Sequence, residues 1–325
     1  MRSFEYVMAA DAPQAVQLCG EGASKGKAGG IDLLDLMKEG LERPARVVGL
    51  QQALGTGVER SSDWVRLQAG ITLAAIARDA ELRREFPALA QAVEQAATPQ
   101  LREMATLGGN LLQRPRCWYF RSRHYTCLKK GGSVCWAQNG LHESHALFDN
   151  GTCAVVHASN AAVALAALGA SVVILGRNGT REVPLPAVYV RASQDPQTET
   201  TLQPGELITH VNLPRSGGGP RSAHYEVRFK QSFDWPLAMA TVNLNGARPA
   251  VALGAVASVP LLRPELEADL RAFAAKAARD QADAIAAKAV AGATPLQGNA
   301  WRLPILKVTV RRALMKAAGI PEEQW

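Results

Sequence analysis

Apolar residues recur with a period that switches along this chain, and the switches mark out its elements. Residues 4–8 read as a short strand and residues 12–19 as a helix. A second short strand ends in Lys27-Ala28-Gly29-Gly30 and turns into a helix over 32–38, with Leu33, Leu34, Leu36 and Met37 on its apolar side. Residues 46–48 and the alternating segment 64–69 are strands. Thr72 caps a helix running to residue 78, and 87–97 and 101–104 continue helical. Ser159 or Asn160 caps an alanine-rich helix that breaks at Gly169, followed by a strand over 171–175. Strand-like pieces continue to residue 213. The run Pro-Arg-Ser-Gly-Gly-Gly-Pro-Arg-Ser over 214–222 is a linker. Beyond it come three antiparallel strands, 223–229, 237–245 and 250–257, then a broken helix over 264–291 and another over about 305–318.

The pattern predicts an α+β protein of three parts: a small α/β unit over 1–59, a larger unit over 60–215, and a compact α+β domain over 220–325. A length of 325 residues agrees with more than one core. One stretch, 114–153, has no clean period. It is rich in aromatic, basic and glycine residues and reads as an insertion held together by what it binds.

Composition changes the picture mainly there. The chain is 47% hydrophobic and 20% charged, which is globular. Its net charge is +7, and the insertion alone carries six Arg or Lys against Glu143 and Asp149, for +4. A solvated face or a nucleic-acid patch would both fit that excess. No helix-turn-helix, paired zinc finger or RNA-binding signature accompanies it, so no nucleic-acid partner is expected. The longest apolar stretch, 161–176, holds two glycines and is too short for a membrane span. No leader segment is visible at Met1, and a soluble cytoplasmic protein is expected.

Four of five cysteines fall in or at the edge of the insertion: Cys117, Cys127, Cys135 and Cys153. In a cytoplasmic chain such a cluster favours metal over disulfides. Four thiolates suit zinc or an iron–sulfur cluster. The gaps of nine, seven and seventeen residues lack the tight knuckles usual in structural zinc sites. Nearby His124, His142, His145 and His157 are expected beside the site rather than in it. Cys19 stands alone and is expected to be a buried thiol.

Two glycine pairs offer backbone N–H groups to an anion. The first, in Lys27-Ala28-Gly29-Gly30-Ile31-Asp32-Leu33, sits where a strand becomes a helix. Asp32 there could simply cap the helix. The second, in Thr106-Leu107-Gly108-Gly109-Asn110, adds Thr106 and Asn110 as donors. Either could be an ordinary turn; together they could clamp one dinucleotide from two subdomains. Neither a G-x-G-x-x-G nor a Walker A pattern occurs. No acid, base or nucleophile constellation is visible.

The order A-G-G-x-D-L-L, A-T-L-G-G-N-L, L-x-P-G-E-L-I, F-K-Q, with A-L-G-A-V-A near Leu253, resembles the FAD-binding medium subunits of molybdenum hydroxylases. That is the xanthine dehydrogenase and carbon monoxide dehydrogenase group. The resemblance implies a two-subdomain FAD-binding fold of the vanillyl-alcohol-oxidase type with a small C-terminal domain. The cysteine insertion resembles a smaller branch, the flavin subunit of periplasmic aldehyde oxidoreductase and the 4-hydroxybenzoyl-CoA reductase β subunit. It implies a [4Fe–4S] cluster on Cys117, Cys127, Cys135 and Cys153. It also implies FAD contacts at the two glycine segments, at Thr72, at Leu207 and at Lys230, and at Asn160, where the family often has Asp. Partners would be a large molybdopterin subunit and a small [2Fe–2S] subunit. The basic excess itself suggests that an acidic carrier such as a ferredoxin docks near Arg121, Arg123, Lys129 and Lys130; the alternative is that these cations balance the charge of thiolates or a cluster, or face a partner subunit. Export on a partner's signal would place the complex in the periplasm. A flavin-free zinc scaffold and a free-standing FAD oxidase are the competing expectations.

Overall fold

The computed structural model describes residues 1–229, 233–246 and 248–325. Three sheets follow one another along the chain. The first is parallel, in the order β1-β3-β2, from β1 (Glu5–Met8), β2 (Ser24–Lys27) and β3 (Arg46–Gly49). Helices Ala12–Cys19 and Ile31–Lys38 make its crossovers. Asp11 and Pro13 start the first helix, the Asp11 carboxylate accepting from the Gln14 N–H.

The second sheet is antiparallel, in the order β4-β5-β8-β6-β7. Its strands are β4 (Val58–Arg60), β5 (Trp64–Gln68), β6 (Ser171–Gly176), β7 (Gly179–Pro184) and β8 (Leu207–Pro214). Alternation sets its register. Val65 pairs Leu213, Leu67 pairs Val211, and Val172 also meets Val211, all fully buried on one face. Helices Leu73–Arg78, Pro87–Gln95 and Asn160–Ala167 pack into the same core.

The third sheet, β12-β11-β10-β9, contains β9 (Ser222–Val227), β10 (Ala238–Asn243), β11 (Ala250–Gly254) and β12 (Leu261–Leu262). Helices Glu267–Ala275, Arg279–Ala289 and Arg302–Ala317 share its core. Helix Asn160–Ala167 is buried along its whole length. Ala161, Ala162, Ala164 and Leu165 join the second core, while Val163, Ala166 and Ala167 pack on Met239 and Ala252 of the third sheet. Alanine on every side is what lets two sheets close on one helix. Ser159 caps it, accepting from the Ala162 N–H at 3.0 Å.

Two short strands were missed by the pattern: β4, which crosses the expected boundary at 59, and the two-residue β12. The linker at 214–222 is tied down. Arg215 pairs with Glu85 at 3.0 Å, and the Gly219 N–H donates to the Glu85 carbonyl at 2.6 Å.

His157 lies in this interior, edge-on to Tyr189 at 4.6 Å between centroids, its Nδ1 accepting from the Ser159 N–H. Burial holds its pKa at about 4, below the ordinary 6.5. A depressed folded-state value means that the unfolded chain binds the proton first. The contribution is therefore complete above pH 6.5 and is lost as pH falls towards 4, on the order of 3 kcal/mol. Denaturant titrations at pH 7 and pH 4.5 are expected to show a smaller acid-induced loss for His157→Asn than for the parent; an equal loss contradicts the assignment.

Candidate functional site

A cleft of about 970 Å³ opens between the first lobe and the second. Lys27, Ala28, Gly29, Gly30, Ile31, Asp32 and Leu33 line one side; Thr106, Gly108, Gly109 and Asn110 line the other, and Asn160 and Leu207 also face it. The two glycine segments lie 80 residues apart in the chain and meet here because Gly29 packs against the backbone before the second one. A Cβ on Gly29 would sit 1.9 Å from the Met104 carbonyl oxygen. Gly30 takes the left-handed conformation at φ 77° and starts helix Ile31–Lys38 with no side-chain cap. First-turn N–H groups are thereby left without a side-chain partner beside the cleft.

The second glycine segment is a short helix, Leu107–Leu111, rather than a loop. Thr106 caps it, its hydroxyl oxygen accepting from the Gly109 N–H at 3.2 Å, so that donor is engaged within the segment. Asn110 also works internally, accepting from Ser159 Oγ at 2.6 Å. Gly108 packs on Ala69, whereas a Cβ on Gly109 would meet only Thr106 Oγ1, at 3.0 Å. Gly109 is thus the glycine whose missing side chain leaves room on the cleft side.

Thr72 is not among the lining residues. It caps Leu73–Arg78 by accepting from the Ala75 N–H and bridges to Thr106, so it supports the second segment from behind. Asn160 is buried and donates to Glu226 Oε2 at 2.5 Å. Lys230 lies outside the described residues.

Asp32 does not cap its helix. Its carboxylate accepts from the Arg114 N–H at 2.8 Å and from Arg121 Nη2 at 2.7 Å, and it pairs with Arg116 Nη1 at 2.7 Å. Three arginines of the insertion therefore converge on one acid of the first lobe. Asp32→Asn keeps the size and removes the charge. Leaving these partly buried donors with a weaker acceptor is expected to cost about 1–3 kcal/mol, read as a lower urea midpoint and faster proteolysis within 114–153. An unchanged midpoint would show the arginines to be solvated.

The four cysteines face one small cavity, walled by Tyr119, Phe120, Leu128, Lys129, Trp136, Ala137 and Val155. Cys127 and Cys153 are buried, and Cys117 and Cys135 are partly so. The neighbouring Cys153 thiol lowers the pKa of Cys135, to about 6, while Cys135 and burial raise that of Cys153. His145 Nε2 lies 3.2 Å from Cys117 Sγ. Among the described residues no three His, Cys, Asp or Glu side chains gather closely enough to hold one metal ion. Cys19 is remote from this cavity; burial pushes its thiol up to about 11. His124 is exposed, while His142 is buried and bonded to the Ala137 carbonyl and the Gly298 N–H.

The insertion touches all three layers. Leu36 of helix Ile31–Lys38 packs with Phe120 and Cys127, and the same Leu36 lines the cleft. One helix therefore lines the cleft and backs Phe120 and Cys127, which line the cysteine cavity. At the far end Leu147 and Phe148 enter the third core and bond the Val256 carbonyl. Arg302, fully buried, donates to the carbonyls of His145, Leu237 and Ala255.

The basic excess is mostly internal, against the expectation of a cationic docking face. Lys129 is buried and pairs with Glu199 at 3.1 Å. Lys130 donates to the carbonyls of Tyr119 and Ser122, and Arg121 pairs with Asp32 and Asp35. Sequence reasoning missed Glu199, Glu42, Asn299 and Arg302 as parts of the site's frame. Arg228, Gln113 and Trp235 in the cleft were also missed. Of these, Gln113 follows the second glycine segment and Arg228 immediately precedes the F-K-Q motif, so both lay beside motifs that could have drawn notice.

Comparison with known proteins places the chain in a family. The family described as "FAD binding domain in molybdopterin dehydrogenase" matches residues 2–216. The aldehyde oxidoreductase FAD-binding subunit PaoB of Escherichia coli K12 is 33% identical over 300 residues, covering 89% of this chain and 90% of that protein. The carbon monoxide dehydrogenase medium chain of Afipia carboxidovorans is 27% identical, covering 97% and 96%. Quinoline 2-oxidoreductase from Pseudomonas putida 86 matches in structure with a TM-score of 0.74 over 98% of both chains, at 21% identity, which speaks for the fold alone. Reconstituted CO dehydrogenase from Oligotropha carboxidovorans matches at 0.71 over 98% of this chain and 99% of that one, at 25% identity.

Proposed function

This chain belongs to the FAD-binding family of molybdopterin dehydrogenases, and we propose that within an aldehyde-oxidising molybdenum hydroxylase it is the electron-transfer subunit, carrying FAD in the cleft and a [4Fe–4S] cluster on its four cysteines. The observation that carries the reading is a helix shared by the two sites, lining one and packed behind the other. Helix Ile31–Lys38 presents its N-terminus and Leu33 to the cleft and packs Leu36 against Phe120 and Cys127. Two redox sites sharing one helix suit passage of electrons between them.

When bound, FAD exchanges electrons singly or in pairs and so links one-electron centres to a two-electron reaction. The chain's part is to hold and orient it. The uncapped helix start at Gly30 suits a pyrophosphate. Gly109 leaves room for close approach, and Asn160, Leu207 and Lys27 face the same space. Lys230 carries over from the family pattern only. Four cysteines around one cavity and the absence of tight knuckles in the sequence favour a four-iron cluster over a zinc ion.

Substrate chemistry would take place on a large molybdopterin subunit, with a small [2Fe–2S] subunit delivering electrons here and an external carrier such as a ferredoxin removing them. No helix among the described residues is long and apolar enough to cross a membrane. The test is anaerobic addition of an aromatic aldehyde. The isolated chain should keep its flavin oxidised; the co-purified three-subunit complex should bleach it. Bleaching by the isolated chain would make it a free-standing oxidase, and a co-purified complex unable to bleach with any aldehyde would place the substrate in another class.

A further inference from the structure

Among the described residues, Lys129 is the one charged side chain in the wall of the cysteine cavity. Local structure puts it there. A 3-10 turn, Leu128–Lys130, follows Cys127, and Gly131 continues it in the left-handed region at φ 82°. Gly132 then lies so close to the Thr126 carbonyl that a Cβ would sit 2.3 Å from it. This tight Lys-Lys-Gly-Gly turn directs Lys129 inwards, to 3% side-chain exposure, and its ammonium reaches Glu199 Oε1 at 3.1 Å. Glu199 also accepts from Arg114 at 3.0 Å, and Arg114 pairs with Glu42 at 3.0 Å. Of this row, Glu42 and Arg114 line the cleft while Lys129 lines the cavity.

Burying an ammonium is costly, and Glu199 is reachable from solvent, at 26% exposed. A lysine needed only for that ion pair could remain outside. Burial of its charge is understandable if the cavity is anionic when filled. We propose that Lys129 is the fixed counter-charge of the group held by the four cysteines and sets its reduction potential, with Glu199 attenuating it. The inference rests on the cluster reading above.

The sign follows from charge alone. Reduction adds one electron to the cluster, and no bond to Lys129 forms or breaks. A nearby cation stabilises the reduced state more than the oxidised one; a nearby anion does the reverse. Removing Lys129 should therefore lower the potential, and removing Glu199 should raise it. A purely structural pair predicts otherwise, because loss of either partner would loosen the same turn and move both variants in the same direction.

The experiment is a potentiometric titration of the purified chain with dithionite and mediators, followed by electron paramagnetic resonance of the reduced cluster. Lys129→Met is expected to weaken one-electron reduction at least about tenfold, about 59 mV. Lys129→Arg should restore most of it, and Glu199→Gln should shift it upwards, with flavin content unchanged. Iron and sulfide present but both potentials shifting together, or neither moving, would overturn the inference alone. Absence of iron and sulfide from the parent protein would overturn the cluster reading and this inference with it. If Lys129→Met assembles no cluster, Glu199→Gln decides, and a lowered or unchanged potential there counts against the proposal.

Discussion

Serine at Cys127 or Cys153 is expected to strip most of the iron from the protein and to loosen the insertion, whereas serine at Cys19 does neither. Both ligand candidates are buried in an apolar wall, so a hydroxyl there is a poor metal donor and also a buried polar group without a built partner. Losing a ligand should exceed the roughly 10–100-fold loss of metal affinity typical when only an outer partner of a ligand is removed. The structural consequence is wide, because the insertion joins the first lobe through Asp32 and the third core through Leu147 and Phe148. Limited proteolysis should therefore open residues 114–153 in the same variants that lose iron. Iron and sulfide analysis beside circular dichroism reads both effects; a Cys127→Ser protein with full iron, or a Cys19→Ser protein without it, would show the ligand set to be different.

Gly109→Val is expected to fold and to lose FAD. The position is open on its cleft side, so a branched side chain fits the protein but occupies ligand space. Overpacking of a close contact costs about 1–3 kcal/mol, roughly 5–150-fold in Kd at about 1.4 kcal/mol per decade. Gly29→Val behaves differently. There the added carbon meets the Met104 carbonyl, so the two segments are pushed apart and stability should fall together with flavin binding. Flavin titration with a thermal melt separates the cases. Retained stoichiometric FAD in Gly109→Val would remove that segment from the binding site.

Local features of the fold were legible because local chemistry sets them. Thr72 and Ser159 could be recognised as caps, and Gly169 as a helix end, from the residues beside them. The three strands after residue 222 were legible as short apolar-rich runs; β12 has two residues and carries no period. The four cysteines announced a site through their clustering, and the glycine pairs announced a cleft through their type.

Long-range pairings left no such trace. Asp32 finds Arg114, Arg116 and Arg121 more than eighty residues away, and nothing near Asp32 distinguishes it from a capping acid. The same is true of Lys129 and Glu199, seventy residues apart. A count of charges in the insertion could not tell cations facing water from cations facing carboxylates and carbonyls. That is why a docking face was expected where the structure has an internal network. Gly29 is the subtler case. A role at a phosphate was read from residue type, while the contact that forbids a side chain there is with Met104, a residue whose proximity only the folded chain reveals.

The most direct measurement is cofactor analysis of the chain purified without oxygen, by visible, electron paramagnetic resonance and Mössbauer spectroscopy with iron, sulfide and flavin assays. The account predicts one FAD with about four iron and four sulfide per chain, and a paramagnetic signal that appears on reduction. A colourless protein containing zinc, or flavin without iron, would contradict it.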